Sequence, residues 1–217
     1  MTPFRIRYQT IEFDGIEIHI RSLRDRQQFY DPSGAAEALG ISSAQWSLFG
    51  VVWESSEVLA RKMASFDIQG KRILEVGCGM ALSSLLLNYR QADITATDYH
   101  PEAAQFLTAN THLNRGRKIP FLRTGWGDLI DDLGRFDVVI GADLLYEKQH
   151  IELLSGFINR HANPQCEVII VDPGRGHHAP FSKKMQTLGY SHSQYKPQPE
   201  DCSATPFKGQ VLTYLRA

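Results

Sequence analysis

The 217-residue chain carries 23 Lys and Arg against 24 Asp and Glu, a net charge of −1, so nothing in its charge favours a nucleic-acid or membrane-surface partner. Its length suits one α/β domain with an N-terminal extension, no apolar run reaches membrane-spanning length, and MTPFRIRYQT lacks the apolar centre of a signal peptide, so a cytoplasmic protein is expected. Cys78, Cys166 and Cys202 lie far apart without CxxC spacing, and His177-His178 are adjacent residues that rarely converge on one ion, so neither a disulfide framework nor a metal site is expected.

Phe4–Arg21 alternates apolar and polar residues around Asp14-Gly15, predicting two strands and a tight turn. From Ser22 to Gly50 the chain is polar and spotted with glycine yet holds several large aromatics, which predicts a lid-like covering segment with short helices rather than a free linker. The chain therefore divides into a hairpin and lid-like extension over 1–50 and a main domain over 51–217. Glu57–Ala64 has helical composition, Ile73–Val76 reads as a buried strand, and Met80–Leu87 as a helix packed on the sheet. Ile94–Thr97 is a second strand, and Pro101, suited to a first helical turn, opens a helix to about Arg115. Strands follow at Ile119–Arg123 and Phe136–Gly141, then a helix over Glu147–His161, a strand at Glu167–Val171, a helix near Phe181–Leu188 and strands near Tyr190–Tyr195 and Gln210–Leu215. This alternation predicts a Rossmann-like α/β fold: a seven-stranded, mostly parallel sheet with helices on both faces, whose ligands bind beyond the carboxyl ends of the strands.

The most informative stretch is KRILEVGCG, where a strand meets Gly77 and Gly79 before a helix. Only glycine lets a backbone turn this sharply and approach a ligand this closely, so the turn reads as a nucleotide-cofactor cradle or, more plainly, as an ordinary β–α turn. The third glycine of a dinucleotide fingerprint is replaced by Leu82, and no Gly-Lys-Ser/Thr closes a phosphate loop. Glu75 instead ends the strand, and Asp98 ends the next one, near the roughly 20-residue separation of a carboxylate that accepts ribose hydroxyls. Asp98 also reads as a helix cap ahead of Pro101, and Cys78 as a small buried filler. A carboxylate beside the turn suits a cofactor bearing an ammonium and a sulfonium better than one bearing phosphates, and the constellation resembles the S-adenosylmethionine (SAM) pocket of seven-strand methyltransferases.

Further motifs fall at strand ends: Thr124-Gly125-Trp126-Gly127-Asp128, Ala142-Asp143-Leu144-Leu145-Tyr146 and Asp172-Pro173-Gly174-Arg175. With the Trp53 segment and LEVGCG, they make residues 53–175 resemble the seven-β-strand protein-lysine methyltransferases known as methyltransferase family 16. The D-x-x-Y pattern of Asp143 and Tyr146 is the discriminating motif, and the Asp172–Arg175 run is similar to the branch acting on the β subunit of electron-transfer flavoprotein. Amide-nitrogen and adenine methyltransferases carry N/D-P-P-Y/F at this point; this chain has no such prolines. The resemblance implies SAM as cofactor, S-adenosylhomocysteine as product and a protein substrate. Trp126 would flank the adenine, Asp98 hold the ribose, Gly77, Cys78 and Gly79 give backbone contacts, and Trp53 and Ala142 line the pocket. Asp143 and Tyr146 would orient the acceptor amine. Trp53 also reads as plain core, Asp143 as a cap for the following helix, and Arg175 as a salt-bridge partner. Two other functions fit the same residues: a SAM enzyme for a small amine or other metabolite, and a non-catalytic SAM-binding module.

Overall fold

The computed structural model describes residues 4–25, 28, 30–42, 46, 48–129, 132–198 and 207–217, so Cys202 and part of the expected covering segment lie outside the described residues. Strands β1 (Ile6–Phe13) and β2 (Ile16–Leu23) pair antiparallel across Asp14 and Gly15, at φ 47° and 83°, the left-handed pair that a two-residue hairpin turn needs. A short helix α1 (Ala35–Ala38) follows, then α2 (Glu54–Ser65), β3 (Arg72–Val76), α3 (Leu82–Tyr89), β4 (Asp93–Asp98) and α4 (Ala103–Leu113). The rest of the chain forms β5 (Phe121–Arg123), β6 (Phe136–Ala142), α5 (His150–His161), β7 (Ala162–Asp172), α6 (His178–Thr187), β8 (Ser191–Tyr195) and β9 (Gln210–Arg216).

The seven strands β3–β9 form one sheet in the order β5-β4-β3-β6-β7-β9-β8, parallel except for β9, which is antiparallel to both its neighbours. The central strands read as continuous apolar runs because both faces are covered. Ile73, Val138 and Ile169 join the cluster under α2 and α3, whereas Leu74, Val139 and Ile170 join the one under α5 and α6. The hairpin is tied down from the side: the amides of Asn110 on α4 and of Asn114 at its C-cap each donate to and accept from the backbone of Arg21 and His19 respectively, so the outer edge of β2 is satisfied by side chains.

Several boundaries differ from the expected ones, among them the strand expected at Glu167–Val171, which starts at Ala162, and the one expected from Ile119, which starts at Phe121; two others differ for clear local reasons. The helix after β3 starts at Leu82 rather than Met80, because Gly79 and Ala81 sit at φ 53° and 57°. The helix after β6 starts at His150 rather than Glu147, because the chain first turns through Asp143, itself at φ 55°. Between β3 and β6 the strand order reverses direction, which opens a crevice at their carboxyl ends. Among the described residues no helix is long and apolar enough to cross a membrane, and no cluster of His, Cys, Asp and Glu is arranged to hold a metal ion.

Candidate functional site

The crevice contains a cavity of about 510 Å³, and its walls include Trp53, Glu75, Gly77, Cys78, Gly79, Asp98, Trp126, Ala142, Asp143 and Tyr146. The structure thus brings to one place every residue that the sequence put forward for catalysis or cofactor binding. Arg175, read from sequence as a salt-bridge partner, lines it as well, together with Tyr99, His100 and His150, to which the sequence assigns no role.

The turn after β3 is held open by its own hydrogen bonds. The Cys78 amide donates to the Thr97 carbonyl (2.9 Å) and the Gly79 amide to Asp98 Oδ2 (2.7 Å). A side chain at Gly79 would meet nothing within 4 Å, so open space lies over that residue. Gly77 is different: a Cβ there would fall 2.6 Å from Leu144 and 3.6 Å from the Trp126 ring, so its glycine serves close packing.

Two carboxylates border the turn. Glu75 is only 3% exposed, and its Oε2 accepts from the amide (2.9 Å) and hydroxyl of Ser84 on α3. Burial raises its pKa to about 7, against the lowering effect of Ser84. Asp98 is also pushed up by burial and held back by the amides of His100 and Gly79 on its two oxygens. The first helical turn after it belongs to Glu102 and Ala103, so Asp98 does not cap α4 but closes a local turn onto His100. Neither carboxylate has a Lys or Arg partner among the described residues. Each Asp98 oxygen accepts one of these hydrogen bonds and can accept another, and Glu75 keeps its Oε1, so both groups can still receive donors from a ligand.

Glu75 carries a pH signature. Its carboxyl holds a proton more tightly folded than unfolded, where its pKa is about 4.5. The contribution of Glu75 to stability therefore falls as pH rises from about 4.5 to about 7, by on the order of 3 kcal/mol, and is constant above. Glu75→Gln removes this penalty. The variant is expected to melt higher than wild type at about pH 8, with the difference vanishing near pH 4.5. A lower or equal melting temperature at the alkaline end would show that the carboxylate is not destabilising.

The aromatic wall is set by loop bonds. Asp128 Oδ2 accepts from the Gly125 amide (2.7 Å), and Arg160 on α5 donates to the Trp126 carbonyl (2.9 Å), which fixes the indole at the cavity. Trp53 is half-buried and donates through Nε1 to the Leu48 carbonyl (3.1 Å), so it faces the cavity rather than being sealed in the core. Tyr99 Oη donates to the Leu39 carbonyl (2.6 Å), and His100 stacks on Phe49 at 3.9 Å and 4°, which ties the segment before α2 to the end of β4. Burial drives the His100 pKa down to about 4, so this stack is neutral.

Beyond β6, Asp143 forms a two-pronged pair with Arg175: Nε to Oδ1 at 2.6 Å and Nη2 to Oδ2 at 2.8 Å. Asp143 lies well ahead of α5, whose N-cap is Gln149, so its carboxylate is not a helix cap. Tyr146 is 40% exposed, and burial of its hydroxyl together with nearby Asp98, Glu147 and Asp143 pushes its pKa up to about 12. His150 was invisible from sequence because it belongs to no local motif. Its Nδ1 donates to the Leu144 carbonyl (2.9 Å), and its ring stands edge-on to both Tyr146 (4.4 Å, 89°) and Trp126 (5.0 Å, 86°). The imidazole is thereby wedged between the D-x-x-Y loop and the Trp126 wall.

Residues 39–186 match the family model described as lysine methyltransferase. The chain is 35% identical over 115 residues to the zebrafish (Danio rerio) protein named Protein N-lysine methyltransferase METTL21A, covering 48% of this chain and 52% of that one. It is 26% identical over 163 residues to the human Electron transfer flavoprotein beta subunit lysine methyltransferase, covering 73% and 60%. The matches thus span about half to three fifths of the length of these two relatives. In fold, it is similar to the crystal structure of a methyltransferase from Pyrococcus furiosus, with TM-score 0.60, 20% identity, and coverage of 74% of this chain and 83% of that one.

Proposed function

The chain belongs to the lysine methyltransferase family, and from that premise we propose that it is a SAM-dependent N-methyltransferase acting on a lysine side chain of a protein substrate. One observation carries the cofactor: a buried carboxylate, Glu75, and a half-buried one, Asp98, neither with a cationic partner among the described residues, flank an open glycine turn in a single cavity. Such a site favours a ligand with positive charge over one bearing phosphates. When bound, SAM supplies a methyl group on a sulfonium, a leaving group good enough that an attacking amine needs no metal and no covalent enzyme intermediate.

The chain's own residues then have separate tasks. Gly77, Cys78 and Gly79 offer backbone contacts, Glu75 faces the ammonium, Asp98 accepts from the ribose hydroxyls, and Trp126, Trp53 and Ala142 wall the pocket. Asp143 and Tyr146 align the acceptor amine, which is the positioning the reaction most needs. The amine must also arrive neutral, and at a pKa of about 10.4 that costs roughly 4 kcal/mol near pH 7.5. Aromatic walls that exclude water offset part of this cost.

The protein acceptor is supported by the names of both relatives, which state a protein lysine. Residues 1–50 act as a hairpin and lid-like extension on a methyltransferase domain over 51–217, supported by the Tyr99–Leu39 and Trp53–Leu48 bonds. A cytoplasmic location agrees with the buried free thiols of Cys78 and Cys166.

Incubation of the purified protein with labelled SAM and cell lysate tests the reading. A discrete labelled protein band is expected; label only in small molecules would transfer the assignment to a metabolite methyltransferase, and none to a binding module. Asp98→Ala is expected to weaken SAM binding by about 1–3 kcal/mol, since it removes a charged acceptor and frees the amides of Gly79 and His100. Calorimetry that finds NAD bound in place of SAM would overturn the cofactor assignment.

A further inference from the structure

Asp143 poses an electrostatic problem for the proposed reaction. An unpaired carboxylate beside an acceptor amine stabilises the ammonium, raising its pKa by about 1–3 units, which is the opposite of what a nucleophile needs. In the structure both oxygens of Asp143 are already taken by one guanidinium. The Asp143 side chain is 10% exposed and the Arg175 side chain 39%, so the pair sits at the mouth with its carboxylate inside.

The pairing is built rather than incidental. Parallel pairing of β6 and β7 sets Ala142 beside Val171, and the Asp143 amide donates to the Val171 carbonyl (2.9 Å), which fixes the loop after β6 against the end of β7. Asp172 Oδ2 accepts from the Gly174 amide (2.9 Å), and Gly174 and Gly176, at φ 98° and 90°, swing Arg175 back over the cavity. Asp143 is a non-glycine residue held at φ 55°, a conformation that costs free energy and persists where surrounding contacts impose it. The other charged or titratable groups facing the pair are Asp172, with His178 3.7 Å from it, and Tyr146, itself faced by Asp98 and Glu147.

We infer that Arg175 is a positioning residue that acts through Asp143: by neutralising this carboxylate it lets the site align the acceptor as a free amine instead of holding it as an ammonium. The inference rests on the lysine methyltransferase reading above and adds to it the charge state in which the acceptor is held. The acceptor ammonium gives its proton to water. The nitrogen lone pair then forms the new N–C bond as the C–S bond breaks, and its electron pair stays on sulfur. With Asp143 paired, a fixed acceptor remains for an N–H of the amine, because each carboxylate oxygen keeps a lone pair. Without Arg175 the same carboxylate becomes a counter-ion that retains the proton.

The test is the pH dependence of methyl transfer from labelled SAM to the lysate protein labelled in the assay above. The rate rises with pH as the bound amine deprotonates. In Arg175→Gln this rise is expected to move up by about one pH unit or more, so that transfer near pH 7.5 drops roughly tenfold and recovers at high pH. Arg175→Lys, which keeps the charge but not the two-pronged geometry, should fall between. Asp143→Asn/Arg175→Gln, with neither charge, should return the rise to its wild-type position, at a lower plateau. In parallel, n-butylamine binding to the protein loaded with S-adenosylhomocysteine should be tighter in Arg175→Gln than in wild type near pH 7.5, where this probe is an ammonium.

A purely structural Arg175 would lower the rate by the same factor at every pH, in step with melting temperature, and leave n-butylamine binding unchanged; that pattern overturns the inference. Failure of the wild type to bind S-adenosylhomocysteine would overturn the cofactor reading and the inference together, whereas an unmoved rise in a protein that binds it overturns only the inference.

Discussion

Asp143→Ala is expected to lower methyl transfer by about 10²-fold or more, the scale of a lost positioning group, while SAM affinity stays near that of wild type. The separation follows from the geometry. Asp143 stands in the loop after β6 and exchanges its side-chain hydrogen bonds with Arg175, whereas the Gly79 amide and its partner Asp98 belong to β3 and β4. Removing the Asp143 carboxylate leaves the Gly79–Asp98 bond untouched. It also leaves Arg175 unpaired, but that side chain is 39% exposed and water can solvate it, so the loss of stability should be modest. Asp143→Asn keeps the size and tolerates the left-handed backbone at φ 55° but cannot balance the guanidinium. If the carboxylate itself aligns the amine, Asn should be nearly as impaired as Ala. Measuring melting temperature, SAM affinity and methyl transfer on the three proteins decides the matter. Full activity in a folded Asp143→Ala protein would remove this residue from the mechanism and, with it, the D-x-x-Y argument for lysine as acceptor.

What could be read from sequence was whatever is enforced locally. The glycine turn is legible because positive φ at Gly77 and Gly79 restricts residue type on the spot. The strands are legible because burial on both faces demands uniform apolar runs, and strand ends place Asp98, Trp126 and Asp143 on one edge. Contacts between distant segments were not legible. The Asp143–Arg175 pair joins residues 32 apart, brought together only by the parallel register of β6 and β7. The lock of β2 by Asn110 and Asn114 spans 89 and 95 residues, and nothing in an asparagine marks it as the partner of a strand edge. His150 is the clearest case. Its setting arises from one carbonyl and two aromatic edges contributed by separate loops, and a histidine in the first turn of a helix carries no sign of that. Functional electrostatics fell on the same divide: the sequence placed two acids at strand ends, but only burial makes Glu75 titrate near 7.

Gly79→Val is expected to abolish measurable SAM binding while the protein still folds. The added Cβ would have no atom within 4 Å beyond its own chain neighbours, so the side chain would project into the cavity and fill the space a ligand must occupy over the turn. Its backbone cost is separable. Valine at φ 53° is strained by roughly 1–3 kcal/mol whatever lies nearby. Gly70→Val supplies the control: this glycine, in the turn before β3, is at φ 68° and also has nothing within 4 Å of an added Cβ, but it lies away from the cavity. The two variants should lose similar amounts in melting temperature, and only Gly79→Val should lose the cofactor. Gly77 is the poorer probe, because a Cβ there would press on Leu144 at 2.6 Å and disturb the D-x-x-Y loop along with the turn. Calorimetric titration of SAM into the two valine variants at matched folded fraction distinguishes the causes. Normal binding by Gly79→Val would mean that the turn after β3 is not the cradle; equal losses in both would assign the effect to backbone strain rather than to occupied space.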